Sequence, residues 1–123
     1  MWRFAFIAFL IAHGAVHLAI WATPASTEPK APFDVRHSWL LGDSRRLPLG
    51  LAIGAALFLI ASGITLWIGV AWWRPVAMAG LVASFALMVL FFHPWFLPIQ
   101  AVNAALVVAL AWLAWPSQSL VGA

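Results

Sequence analysis

The chain has 123 residues, 66% hydrophobic and 7% charged, with a formal net charge of +3. A soluble domain carries about 25% charged residues, so a water-soluble fold is excluded and the lipid bilayer is the expected solvent. The absence of cysteine removes disulfides, thiolate metal sites and thiol–disulfide chemistry.

The first apolar run, from Phe4 to Trp21, carries no charge after Arg3. Arg3 followed by an apolar run also fits a secretory signal, but the stretch is longer than a signal core and reads as the first transmembrane helix. Three more spans follow. The pattern predicts helices at roughly 2–22, 48–70, 75–92 and 97–115, each near the ~20 apolar residues that cross ~30 Å of hydrocarbon. Pro48 and Pro75 stand where the second and third helices start, a position that tolerates a missing N–H. His93-Pro94-Trp95-Phe96-Leu97-Pro98 divides the third from the fourth, because two prolines so close together break a helix. Pro116 ends the fourth. The expected fold is a single-domain, all-α, up-down-up-down four-helix bundle in a membrane.

The connection 23–47 is the only long loop, and it holds Glu28, Lys30, Asp34, Arg36, His37, Asp43, Arg45 and Arg46. Pro24, Pro29 and Pro32 predict an extended first half. Val35 to Leu41 reads as a short interfacial helix. The positive-inside rule leans toward a cytoplasmic position for this loop. With so few basic residues and no basic stripe, the high isoelectric point, about 11.4, points to lipid head groups and away from nucleic acid. Trp2, Trp72, Trp73, Trp112 and Trp115 fall at one expected interface and Trp21, Trp39 and Trp95 at the other, as aromatic belts do. Gly50 and Gly54 form a GxxxG, which suits close helix packing within the bundle or a homodimer; Ala101, Ala105 and Ala109 make a second small stripe.

The chemistry concentrates in one half of the bundle. His13 and His17 are four residues apart on one helix face, and an ionisable side chain at bilayer depth is a functional candidate. The expected topology brings His93, Gln100 and Asn103 to the same half, with His37 in the covering loop. Three readings fit. His13, His17 and His93 can ligate a divalent metal, a haem or a chlorin. With Gln100 and Asn103 they can line a pocket for a lipophilic ligand such as a quinone or lipid. Or they are polar glue between helices, in an accessory subunit of a larger membrane complex. For His37 the plain reading is a loop histidine, and for His93 an interfacial anchor competes with a ligand role. Ser62, Thr65 and Ser84 are most simply helix residues that bond their own backbone. No buried carboxylate, phosphate loop or nucleophile–base set is legible, which points away from an enzyme. No acidic or basic side chain lies inside a span, which argues against an ion-coupled transporter.

The stretch Ala12-His13-Gly14-Ala15-Val16-His17-Leu18, with Trp72-Trp73 at the second turn and Trp95…Asn103 opening the last helix, resembles small bacterial four-helix membrane proteins with an HGxxHL motif, DoxX-like in layout. The resemblance implies a bacterial inner-membrane protein and a quinone-facing role, with the motif landing on His13, Gly14 and His17. The missing cysteines depart from any sulfur relay.

Overall fold

The structure is a computed structural model that describes residues 1–22 and 37–122. Four long helices dominate: α1 (Trp2–Trp21), α2 (Arg46–Trp67), α3 (Trp73–Leu90) and α4 (Leu97–Ala111). A two-stranded hairpin of β1 (His37–Ser38) and β2 (Gly42–Asp43) precedes α2, a 3-10 turn (Pro94–Phe96) leads into α4, and a short helix α5 (Gln118–Val121) closes the chain. The extended half-loop expected at Pro24, Pro29 and Pro32 lies outside the described residues, as do Val35 and Arg36.

The hairpin replaces the short helix expected up to Leu41. Gly42 has φ +72°, a left-handed conformation that stops a helix and suits a tight turn. The Ser38 hydroxyl accepts from the backbone N–H groups of Leu40 and Leu41, so the turn satisfies its own donors. His37 then faces Asp43 in the antiparallel register.

α1, α2 and α3 pack closely because small residues stand at their crossings. A Cβ on Gly14 would lie 3.0 Å from the Ala56 carbonyl oxygen, and one on Gly80 3.0 Å from the Leu59 backbone nitrogen. Gly63 presses on Ile11 in the same way. The Gly50–Gly54 face is different: among the described residues nothing lies within 4 Å of a Cβ at either position. The close packing of this bundle therefore runs through Gly14, Gly63 and Gly80, and the GxxxG faces outward.

Two apolar clusters fill the interior. One gathers Leu10, Leu59, Leu66, Trp73, Leu81 and Leu110; the other gathers Trp21, Ala52, Leu87, Met88, Phe91 and Phe96. Along α1, α3 and α4, the buried polar residues His17, Ser84 and Asn103 fall between the members of these clusters. The outer faces carry large apolar residues, among them Leu57, Phe58, Ile64, Val82 and Val108. Trp2, Trp39, Trp72, Trp95 and Trp112 are exposed, whereas Trp21 and Trp73, expected in the interfacial belts, belong to the core. All four helical segments are long and apolar enough to cross a membrane.

Two arginines finish the end opposite the hairpin. The last carbonyls of a helix lack intrahelical donors, and in an apolar medium each must find one. Arg3 Nη2 donates to Leu66 O at 2.9 Å and Trp67 O at 2.7 Å, closing α2. Arg74 Nη2 donates to Ala114 O and Pro116 O, fixing the turn after α4.

Candidate functional site

The polar residues in the middle of the bundle form a closed ring of hydrogen bonds. His17 Nδ1 lies 2.8 Å from the His13 carbonyl oxygen. A carbonyl only accepts, so His17 carries its proton on Nδ1 and its Nε2 accepts. Ser84 Oγ, 2.7 Å away, donates to that Nε2. The same hydroxyl accepts from Asn103 Nδ2 at 2.7 Å. Asn103 Oδ1 completes the circuit by accepting from His13 Nε2 at 2.8 Å. Each bond has one donor and one acceptor, so a single arrangement of protons satisfies the whole ring.

The ring joins α1, α3 and α4. The i, i+4 spacing on α1 places the His13 carbonyl under the His17 ring. Phe9, one turn earlier, stacks on the His13 imidazole with centroids 5.6 Å apart, and the two imidazoles meet edge to face at 5.3 Å. His17, Ser84 and Asn103 are buried, and His13 is partly exposed. A buried polar network whose members are all paired rigidifies and fixes one packing arrangement.

Ser84 was not expected here. It does not bond its own helix but bridges His17 and Asn103. Ser62 likewise donates across to Trp73 O at 3.1 Å, and only Thr65 bonds its own backbone, at Ser62 O. The order Ser84, His17, His13 carbonyl matches a nucleophile, a base and an orienting acceptor. Ser84 is 0% exposed, however, and it lines neither of the clefts described below. Its hydroxyl is enclosed by His17 and Asn103, and the ring's hydrogen bonds join three helices.

The other expected site residues divide. Gln100, one turn before Asn103, joins the ring's edge: its Oε1 accepts from Asn103 Nδ2 at 3.3 Å. His93 caps the 3-10 turn, its Nδ1 accepting from the Trp95 backbone at 3.2 Å and its ring edge-on to Phe96. The three histidines His13, His17 and His93 therefore do not converge, and no group of three His, Cys, Asp or Glu able to hold a metal ion occurs among the described residues. Both His17 nitrogens are occupied. His13 Nδ1 keeps its lone pair, with no hydrogen-bond partner among the described residues. Within the ring, a tetrapyrrole or metal would have this one nitrogen to bind, with Asn103 orienting the imidazole from behind.

Two clefts open on the surface of the bundle. One, of about 410 Å³, is bordered by Trp2, Phe6, Phe9, Trp115 and Leu120. Among the described residues no charged side chain lines it, and its polar groups are the indoles of Trp2 and Trp115. The other, of about 770 Å³, opens between α3 and α4 beneath the hairpin. Phe85 and Val89 of α3, with Phe92 just past its end, form one wall; Leu97, Gln100, Ala101 and Ala104 of α4 form the other; His37 and Trp39 form the roof. Small side chains on α4 face large ones on α3, which leaves the space between the helices. The roof is pinned: Trp39 Nε1 donates to Val89 O at 2.7 Å, and His37 Nδ1 lies 2.8 Å from Asp43 Oδ1. His37, read from sequence as an ordinary loop histidine, thus borders the larger cleft. Of the expected ligand-binding residues, Gln100 lines it, while His13, His17 and Asn103 stand behind it in the ring.

Comparisons with protein-family models, with curated proteins and with solved structures find no match to this chain.

Proposed function

We propose that this chain is an integral membrane protein that binds a lipophilic ligand, taken laterally from the bilayer into the cleft between α3 and α4. The observation that carries the proposal is the cleft itself. It is a mostly apolar space of about 770 Å³ with a few polar groups on one side, within the ~300–1,000 Å³ of small-molecule sites. The His13–His17–Ser84–Asn103 ring lies behind it and holds α4 at the separation the cleft requires. The reading is of a binding protein. The resemblance in the HGxxHL stretch supports a place in the bacterial inner membrane, and the basic residues of the long loop support a cytoplasmic position for the roof.

The test is to purify the protein from its own membrane in mild detergent, extract it with organic solvent and identify what is released. A stoichiometric lipophile that is lost in Ala104→Trp, which fills the cleft, supports the proposal. An extract holding only bulk lipid, the same in both proteins, refutes it.

A second reading has its own observation. Both His17 nitrogens, the Ser84 hydroxyl and the Asn103 amide are paired within the ring, as structural glue would be. In that case the protein is an accessory subunit, and the outward Gly50–Gly54 face meets a partner. Pull-down in mild detergent distinguishes them: stoichiometric partners favour the subunit, and a clean monomer counts against it.

A further inference from the structure

We propose that the α3–α4 cleft selects an uncharged amphiphile whose head group carries a carbonyl, with the Gln100 amide as its donor. This rests on the ligand-binding reading above and adds the chemistry of the head group.

The first argument is the state of Gln100. Its Oε1 is taken by Asn103 Nδ2, and Asn103 is in turn fixed by Ser84 and His13. The ring therefore sets which end of the Gln100 amide faces inward. Its Nε2 carries two N–H donors, and neither has a hydrogen-bond partner among the described residues. Gln100 lines the cleft, and the end of its amide left without a partner is the donor end. The complement of a donor is an acceptor, and a carbonyl oxygen is the acceptor that lipids and lipid-soluble rings commonly carry.

The second argument is charge. No Lys or Arg lines the cleft among the described residues. Its one ionisable lining group, His37, is held against Asp43. A phosphate or carboxylate head would enter an apolar space without a cation to meet it, which is strongly unfavourable. An uncharged head has no such penalty.

The third argument is length. On α3 the wall runs from Phe85 to Val89, about 6 Å along the helix, and Phe92 extends it past the helix end. That accommodates a head group and the start of one chain, with the rest of the tail in the bilayer. Gln100 lies near the roofed end, so the head sits under Trp39 and the tail points toward Ala104.

Acylglycerol esters and prenylated quinones share this chemistry, and the experiment separates them. Mono-oleoylglycerol, a short-chain prenylated benzoquinone and lysophosphatidylglycerol are each added to the purified full-length protein, and retention is read by native mass spectrometry. At least one uncharged probe is expected to be retained about 10-fold better than lysophosphatidylglycerol; which of the two wins identifies the source. Gln100→Leu is expected to weaken that retention about 3- to 10-fold, the value of one hydrogen bond, and Ala104→Trp to abolish it. If the uncharged probes bind, and Ala104→Trp blocks them, but Gln100→Leu changes nothing, the head-group inference is wrong while the cleft stands. Preferred retention of lysophosphatidylglycerol overturns it equally. If no probe binds, or Ala104→Trp leaves binding intact, the cleft reading fails and takes this inference with it.

Discussion

His13 Nε2 donates to Asn103 Oδ1 across 2.8 Å, linking residues 90 positions apart in the chain. That bond closes the ring that ties α4 to α1 and, through Ser84, to α3. It explains how α4 holds its place although only Asn103, Leu106 and Leu110 along it are buried. Apolar contact alone gives little specificity in lipid, where the surroundings are as apolar as the side chains. A polar ring in the middle of the helix supplies it.

The ring's cohesion is measurable by a double-mutant cycle. Asn103→Leu, His13→Leu and the double variant are compared by thermal or denaturant unfolding in detergent. A coupling of about 0.6–1.7 kcal/mol is expected for this pair, the range found for interhelical hydrogen bonds in membranes. Additive losses would show that the two side chains do not interact.

The proton arrangement makes a spectroscopic prediction. His17 is expected as the Nδ1–H tautomer and His13 as the Nε2–H tautomer, because each opposes a group whose role is fixed. Nitrogen-15 chemical shifts of labelled histidine distinguish them. Finding both rings in the same tautomer would break the directional order of the ring. Ser84→Ala removes the donor to His17 Nε2 and should shift the His17 resonances more than those of His93.

Close helix approach predicts an asymmetry among the glycines. Gly14→Leu and Gly80→Leu force side chains into backbone of the neighbouring helix and should each destabilise by at least about 1–3 kcal/mol. Gly54→Leu faces open space and should change the monomer's stability by no more than about 0.5 kcal/mol. Equal effects in a thermal unfolding series would contradict the packing described.

Arg3 closes the last turn of α2 through two carbonyls. Arg3→Met leaves Trp67 O without its donor and Leu66 O with only the Gly69 backbone N–H, and should cost about 1.5–3 kcal/mol, the value of hydrogen bonds to a charged group. Hydrogen exchange should rise near Trp67, with the cleft end of the molecule unaffected. No change in either quantity would mean that solvent or lipid replaces the cap.

The helical architecture was legible because composition and proline placement carry it, and His13, His17, Gln100 and Asn103 stood out as polar groups in apolar runs. Ser84 was missed because a helical serine ordinarily bonds its own backbone. The available signal was its place on the buried stripe Ala77, Leu81, Ser84, Leu87 of α3, where a polar residue needs a partner from another helix. His93 was grouped with the other histidines by depth alone, but the residue before Pro94 sits in extended backbone, with φ −142° and ψ 140°, and caps the turn that follows. The cleft was illegible: it arises from Ala101 and Ala104 facing Phe85 and Phe92 across two helices, a pairing that no periodicity within one helix reveals.

The most direct measurement is photocrosslinking in the native membrane, with benzoylphenylalanine placed at Phe92 in the cleft or at Phe58 on the outer face. These positions are 52% and 46% exposed, so both reach the bilayer comparably and differ in what the fold builds around them. The account predicts one defined lipophile attached at Phe92 and a mixture of bulk lipid at Phe58. The same bulk mixture at both positions would contradict it.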